Sequence, residues 1–208
     1  MRIATWNVNS IGARLPRVLE WLDTAQPDVV ALQELKTTSE AFPHHEIEQL
    51  GYEVAAHGQG RWNGVALLSR VGLTDVVRDL PGQPDYEGLI EARAIGATCG
   101  GIRVWSVYVP NGREPDHHHY RYKLQWLDTL RDTVGTEQAT SPELAYAVIG
   151  DFNVAPTDAD VWDVNAFVGS THITEAERAR LNQLQQVGLV DIYPRSLKGE
   201  PYTFGITA

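Results

Sequence analysis

The chain opens with two strand-like runs that flank a helix-like segment. Ile3 to Val8 reads as a short strand, and Asp28 to Leu32 is a nearly continuous apolar run, as in a strand buried on both faces. Between them, apolar residues recur at the spacing of one helix face: Leu15, Val18, Leu19 and Leu22. Pro27 ends this helix. The opening therefore predicts a β-α-β unit with two parallel strands.

The middle of the chain has strand-like runs that follow one another closely. These runs are Tyr52–Ala56, Gly64–Ser69, Ile90–Ala97 and Ile102–Val109. Short glycine-bearing turns between them predict antiparallel hairpins. Further on we predict a helix from about Tyr120 to Val134, a strand at Ala145–Gly150, a helix opened by a capping box at Thr174–Glu177, and a strand at Tyr202–Phe204. Hairpins mixed with helical crossovers predict an α/β fold of two packed sheets with helices outside.

Composition limits the classes of protein that remain. The 208 residues are 43% hydrophobic and 21% charged, which is typical of a globular chain and excludes a disordered or fibrous one. No linker interrupts the sequence, so we predict one domain over residues 1–208. Cys99 is the single cysteine, which excludes an internal disulfide framework. The sequence has no membrane-length apolar run and no signal peptide pattern, so we expect no membrane association and a cytoplasmic location.

The chain is acidic, with a net charge of −10. This charge argues against a basic protein that coats nucleic acid without specificity. It leaves open an enzyme that acts on phosphates through a metal ion, because such a site needs carboxylates and the cation reverses their local charge.

Polar side chains follow the apolar strands at the points where the strands end. They are Asn7 and Asn9, Glu34, Tyr108 and Asn111, and Asp151 and Asn153. If these strand ends converge, their side chains form one polar pocket. Carboxylates from Glu34 and Asp151 with amide oxygens from Asn7 and Asn153 suit a hard cation such as Mg²⁺. The alternative is that each is an ordinary turn residue, and strand periodicity alone does not identify a reaction.

Four blocks of sequence carry a resemblance to a known family. They are Trp6–Asn9 (WNVN), Leu32–Lys36 (LQELK), Tyr108–Gly112 (YVPNG) and Gly150–Asp158 (GDFNVAPTD). In this order they resemble the exonuclease III family of abasic-site endonucleases, within the endonuclease/exonuclease/phosphatase superfamily. The resemblance runs from Met1 to about Phe204.

The resemblance implies a four-layered α/β/β/α sandwich and a metal-dependent phosphodiesterase. It implies Mg²⁺ or Mn²⁺ as the cofactor. The implied substrate is double-stranded DNA, cleaved 5′ to abasic sites or trimmed at 3′ ends in DNA repair, by a monomeric enzyme. A phosphoester of a lipid or a nucleotide, and a non-catalytic DNA-binding remnant, are the alternative interpretations.

Residue roles follow from the same resemblance. Glu34 resembles the principal metal carboxylate, and Asn7 resembles an amide beside the metal. Tyr108 resembles the phenol that approaches the scissile phosphate. Asp151 resembles the carboxylate that exchanges a proton with the attacking water or the leaving oxygen, and Asn153 the amide that orients it; both stand near the metal.

The loop after Tyr108 is expected to flank the site, so we predict DNA contacts from Arg113 and Lys123. The family continues beyond the strand at Tyr202–Phe204 with a Ser-Asp-His block, and this sequence contains no such block. We therefore expect a C-terminally truncated chain that lacks the family's last strands, with the activity of this shorter chain left open. The balance between endonuclease and exonuclease activity and the metal used in the cell are also left open.

Overall fold

The computed structural model describes residues 1–192. These residues form two compact units, the first made of Met1–Tyr108 and Ser141–Asp151, and the second of Val109–Thr140 and the chain from Phe152 onward. The prediction of one domain over residues 1–208 stays a prediction. The strand predicted at Tyr202–Phe204 lies outside the described residues.

One sheet of the first unit contains the predicted β-α-β opening. Its strands are β1 (Ile3–Asn7), β2 (Val29–Gln33), β3 (Glu53–His57) and β4 (Val65–Ser69), in the order β1-β2-β4-β3. Helix α1 (Ile11–Ala25) joins β1 to β2, which are parallel, and β4 is antiparallel to both β2 and β3. The parallel pair and the β3-β4 hairpin are confirmed.

The second sheet of this unit has strands β5 (Thr74–Arg78), β6 (Ala94–Cys99), β7 (Ile102–Tyr108) and β8 (Ala145–Asp151), in that order. β5, β6 and β7 are antiparallel, and β7 and β8 are parallel. Strand β5 was not predicted.

Strand β6 begins later than the sequence predicted. The prediction placed its start at Ile90, whereas the observed strand starts at Ala94. Side chains satisfy three of the preceding backbone groups, and the carbonyl of Ala92 accepts from the N–H of Gly64 (2.9 Å). The Gln59 amide donates to the carbonyl of Ile90 (2.5 Å) and accepts from the N–H of Ala92 (2.7 Å), and Gln83 donates to the carbonyl of Glu91 (2.8 Å).

The two sheets pack face to face through an apolar core. Buried residues of both sheets meet there, among them Val29, Ala31, Leu67, Ile95, Ala97 and Val104. Polar bonds also cross this core: the Gln33 amide donates to Ser106 Oγ (3.1 Å), and the Ser106 hydroxyl donates to the Leu32 carbonyl (3.2 Å). On the other face of the first sheet, α1 and the short helix α2 (His44–Glu48) contribute Val18, Leu22 and Ile47 to a second core. The predicted α/β class with two packed mixed sheets and helices is confirmed.

The second unit contains helices α3 (His118–Thr140) and α4 (Glu175–Gln186), which contact each other. Helix α3 is longer than the predicted Tyr120–Val134. The predicted capping box is present, because Thr174 and Glu177 satisfy each other's backbone N–H groups at the start of α4. Within residues 1–192, no helix combines the length and the apolar character needed to cross a membrane.

Candidate active site

The candidate site of the first unit lies where four strands end. Asn7, Tyr108 and Asp151 are the last residues of β1, β7 and β8, and Glu34 directly follows β2. Each sheet contributes one parallel pair, and parallel strands end at the same edge. The register places Asn7 opposite Gln33 and Tyr108 opposite Asp151.

Hydrogen bonds join these four side chains into one cluster. The Asn7 amide donates to Asp151 Oδ2 (2.8 Å) and to Glu34 Oε1 (3.2 Å). The Tyr108 hydroxyl donates to the same Glu34 oxygen (2.7 Å). Residues up to 144 positions apart in sequence therefore meet in one polar group, as expected if the strand ends converge.

Local backbone geometry presents Glu34 to this cluster. Its φ of +54° lies in the left-handed region, which ends the extended conformation of β2 and turns the chain. The turn is held because the Glu34 carbonyl accepts from the N–H of Ser10 (2.7 Å) and the N–H of Leu35 donates to Gly64 (3.2 Å). The carboxylate is therefore placed by main-chain bonds on both sides.

The cluster favours the ionised form of Glu34. Burial alone would raise the pKa of this carboxyl, but hydrogen bonds from Tyr108, Asn7 and Lys36 outweigh burial and lower the pKa. The Lys36 ammonium lies 3.3 Å from Glu34 Oε2. Burial and the bond to Glu34 raise the pKa of Tyr108, so this phenol stays protonated as a hydrogen-bond donor.

Arg93 is a site residue that sequence reasoning missed. It is buried, its guanidinium carbon lies 4.9 Å from the centre of the Tyr108 ring, and its Nη1 donates to the Tyr108 carbonyl (3.2 Å). Its Nε donates to Glu91 (2.7 Å), which in turn accepts from the Asn63 amide (3.0 Å). Arg93 therefore packs against the face of the Tyr108 ring and helps to hold it in place. The sequence offered no signal, since this arginine falls inside an apparently apolar strand.

The donor set fits a hard divalent cation. Glu34 and Asp151 supply two carboxylates, the number that Mg²⁺ commonly takes together with water. In this structure the NH₂ group of Asn7 lies between them, because its Oδ1 accepts from the N–H of Asn9 (3.1 Å). Rotating this amide would turn its oxygen toward the carboxylates. Among residues 1–192 no group of three or more His, Cys, Asp or Glu side chains is placed to hold a metal ion, so a cation here would rely on amide and water oxygens as well.

Asn153 lies in the second unit, two residues beyond Asp151. It is buried, with a φ of +49°. Its Nδ2 donates to the carbonyl of Val109 (2.9 Å), and its Oδ1 lies 3.3 Å from Nε2 of His172. His172 is a second residue that sequence reasoning left unassigned. Burial, followed by the nearby Lys123 ammonium, lowers the pKa of this imidazole to about 4.

The two predicted DNA-binding residues have different surroundings. Arg113 is exposed, and its Nη1 lies 3.3 Å from Nε2 of His117, which is compatible with its predicted role. Lys123 is 0% exposed, and its ammonium is held by Glu177 and by two main-chain carbonyls. We therefore correct the prediction for Lys123, because a fully buried ammonium does not reach a DNA backbone. Helical spacing places Lys123 on the same face as Leu127 and Leu130, but it does not identify Glu177 as its buried partner.

A known protein-family model matches almost the whole chain. The match covers residues 4–207 and the model describes the Endonuclease/Exonuclease/phosphatase family. The chain belongs to this family. The predicted membership and the predicted class of phosphoester-hydrolysing enzyme are confirmed.

Individual relatives include proteins named as nucleases. Exodeoxyribonuclease III of Haemophilus influenzae is 30% identical over 201 residues, which are 93% of this chain and 74% of that protein. The structure of a 3′-5′ exonuclease from Neisseria meningitidis matches with a TM-score of 0.85 and 38% identity, over 92% of this chain and 73% of that one. A second Neisseria structure, described as a 3′ phosphatase bound to a product DNA hairpin, matches equally well.

An archaeal structure has the same fold as this chain. The AP endonuclease from Archaeoglobus fulgidus matches with a TM-score of 0.84 and 35% identity, over 92% of this chain and 72% of that one. The described chain thus has the fold of these structures and spans about three quarters of the length of the proteins compared.

Proposed function

We propose that this protein is a divalent-metal-dependent DNA repair nuclease of the exonuclease III type. The proposed reactions are hydrolysis of the phosphodiester 5′ to an abasic site and removal of residues from 3′ ends of duplex DNA. The observation that carries the proposal is the hydrogen-bonded cluster of Asn7, Glu34, Tyr108 and Asp151 at the strand ends. The relatives support it, since they are named as an exodeoxyribonuclease, a 3′-5′ exonuclease and an AP endonuclease.

Phosphoryl transfer requires an oriented nucleophile and donors for the charge that develops on the phosphate oxygens. Asp151 is the proposed general base that accepts a proton from the attacking water. Asn7 orients this carboxylate through its bond to Oδ2. The Tyr108 hydroxyl donates to Glu34 in this structure, and Arg93 lies against its ring. It is the proposed donor to a phosphate oxygen when substrate is bound, a role in which its one proton leaves Glu34 for the phosphate.

Glu34 and Asp151, with Asn7, are the proposed holders of Mg²⁺ or Mn²⁺. When bound, such an ion supplies Lewis-acid stabilisation of the phosphate and of the leaving oxygen. We propose that Asn153 stabilises the transition state by hydrogen bonding and stands near the metal, and that Arg113 contacts the DNA backbone. The proposed enzyme is a cytoplasmic monomer that acts on double-stranded DNA.

The test is cleavage of a labelled duplex with one abasic-site analogue, in Mg²⁺ and again with chelator. A second duplex with a recessed 3′ end measures exonuclease trimming, so the two reactions are compared on one preparation. We expect cleavage 5′ to the lesion that disappears with chelator. The protein is first shown to be folded by a cooperative thermal melt.

Matched variants connect the activity to the cluster. Asp151→Asn and Glu34→Ala are each expected to abolish the metal-dependent cleavage, because each removes a carboxylate. The control Asp128→Asn changes a carboxylate on α3 that pairs with Arg180 instead, and is expected to cleave at the parent rate. Parent-like cleavage by either site variant would contradict the assignment of the site.

Other outcomes identify the alternative functions. If the folded parent cleaves a lipid or nucleotide phosphoester but no DNA, the site is retained and the substrate is wrong. If it binds duplex DNA in a salt-dependent way and cleaves no phosphoester, the chain is a binding remnant.

A further inference from the structure

The second unit buries a charged pair completely. Lys123 on α3 and Glu177 on α4 are each 0% exposed, and their side chains are hydrogen-bonded to each other. Removing two charges from water is costly, and well-packed apolar residues in their place are often equally or more stabilising. The pair is therefore poorly explained by stability alone.

The ammonium of Lys123 also holds two pieces of main chain. Besides Glu177, its Nζ donates to the carbonyl of Asn111 (3.2 Å) and to the carbonyl of Asn153 (2.6 Å). These three acceptors correspond in number to the three N–H groups of an ammonium. One buried side chain thus connects α3 and α4 to the loops that follow β7 and β8.

Two hydrogen bonds hold Asn153. Its main-chain carbonyl accepts from the Lys123 ammonium, and its side chain donates to another main-chain carbonyl. The Asn153 amide donates to the carbonyl of Val109, in the same loop as Asn111. Its left-handed φ is a conformation that non-glycine residues seldom adopt without support. Lys123 supplies part of that support.

A closed ring of hydrogen bonds surrounds the loop that carries Arg113. The Arg113 N–H donates to Asn111 Oδ1 (3.0 Å), and Asn111 Nδ2 lies 3.2 Å from His172 Nε2. His172 Nδ1 lies 2.8 Å from the Thr171 hydroxyl, which donates to the Arg113 carbonyl (3.4 Å). A neutral His172 with its proton on Nδ1 can donate to the Thr171 hydroxyl and accept from the Asn111 amide.

Glu177 connects this ring to the buried pair. Its Oε1 accepts from the N–H of His172 (3.0 Å) as well as from Lys123. Its Oε2 accepts from the N–H (3.1 Å) and the hydroxyl (2.7 Å) of Thr174. The pair therefore sits between the loop of Asn153 and the loop of Arg113, and its bonds determine where both main chains run.

We propose that Lys123, paired with Glu177, is a positioning residue for two residues of the second unit with proposed roles on DNA, Asn153 and Arg113. The ammonium fixes the position of the Asn153 main chain and of the Asn111–Arg113 loop. It thereby orients the Asn153 amide and the Arg113 guanidinium, the groups proposed to act on DNA. This inference rests on the proposed function.

The test replaces the pair as a unit. Lys123→Met alone leaves the Glu177 carboxylate buried without its ammonium and is expected to destabilise the fold strongly. The double variant K123M/E177Q removes both charges and is expected to melt close to the parent. The matched control is R180M/D128N, which removes a partly exposed ion pair between the same two helices and leaves the loops untouched.

Steady-state cleavage and hydrogen exchange are measured on the parent, on K123M/E177Q and on R180M/D128N. For K123M/E177Q we expect kcat to fall roughly 10- to 100-fold with a smaller change in KM, as for a displaced catalytic group. Amide exchange should become faster in segments 109–117 and 152–157 and stay unchanged in the buried strand Val29–Gln33. The control should match the parent in both measurements.

Two results would overturn the inference. One is a K123M/E177Q protein with the kcat of the parent, which would make the pair merely structural. The other is unchanged exchange in both loop segments, and this readout decides the matter even if the parent cleaves no DNA. An inactive parent with faster loop exchange in K123M/E177Q would refute the proposed function and support the positioning role.

Discussion

Gly150 occupies the tightest backbone position next to the candidate site. It lies on β8 opposite Val107 on β7, one residue before Asp151, and its φ of +147° is strongly unfavourable for residues with a side chain. A Cβ placed on Gly150 would lie 2.0 Å from the Val107 carbonyl oxygen. Gly150→Ala therefore forces the two strands apart at the point where they deliver Tyr108 and Asp151.

The size of the effect follows from this distance. Real Cβ contacts essentially never fall under 3.0 Å, so the backbones must separate by about 1 Å. Such a separation takes adjacent ladder bonds beyond the usual range of about 2.7–3.2 Å. Two lost bonds at roughly 1 kcal/mol each, with backbone strain of roughly 1–2 kcal/mol, predict a loss of about 3–4 kcal/mol in the free energy of unfolding.

The same displacement should reduce cleavage. A misplacement of about 1 Å costs on the order of 100-fold in rate, and here it moves Asp151 away from Asn7 and Tyr108. The assays are equilibrium urea unfolding and incision of the abasic duplex in Mg²⁺, the latter under conditions where the variant is folded.

The control for Gly150→Ala is Gly72→Ala. Gly72 also has a positive φ, +93°, but a Cβ there would meet nothing within 4 Å. It measures backbone strain without the clash, so it should lose only about 1–2 kcal/mol and keep the parent rate. If Gly150→Ala loses no more stability than Gly72→Ala and cleaves at the parent rate, the reasoning from strand separation is refuted.

Three smaller perturbations test other parts of the structure. Tyr108→Phe removes the proposed donor to a phosphate oxygen. A hydrogen bond to a charged group is worth roughly 1.5–3 kcal/mol, so cleavage should fall about tenfold or more. Tyr52→Phe, whose hydroxyl donates to the Pro27 carbonyl, should keep the parent rate. Equal rates for both would contradict this. Burial raises the pKa of the Cys99 thiol, so a thiol reagent near neutral pH should label the chain only after denaturation, and rapid labelling of folded protein would refute it. Gly135→Ala, in the interior of α3 with only ordinary contacts around the new methyl, should raise stability by roughly 0.5–1 kcal/mol in urea unfolding, and a lowered midpoint would disprove it.

The elements with strong local signals were predictable. The β-α-β opening follows from an apolar run, a helical stripe and Pro27, and the capping box at Thr174 marks the start of α4 within one residue. Strand β5 (Thr74–Arg78) was missed because its residues are only half-buried or exposed, so it has little apolar pattern. Such a strand forms because β6 supplies hydrogen-bond partners for its backbone. The apolar pattern within the strand itself does not reveal this pairing.

The four residues of the hydrogen-bonded cluster could be named from the sequence, but their contacts could not. Polar residues after apolar strands pointed to Asn7, Glu34, Tyr108 and Asp151. Arg93 and His172 were missed, since each owes its place to side chains far along the chain. Arg93 lies 15 positions from Tyr108, and His172 lies 61 positions from Asn111.

Lys123 shows most clearly what the sequence determines and what the tertiary structure determines. The sequence by itself determined that a helix runs through this residue and that strands end within one residue of Asn7 and Asp151. It also determined that the chain belongs with phosphoester hydrolases, because these features depend on neighbours a few residues away or on ordered motifs. Only the tertiary structure decided that this lysine is buried against a glutamate 54 positions away. The energy of a charge depends on the solvent and partners around it, and folding alone sets those surroundings.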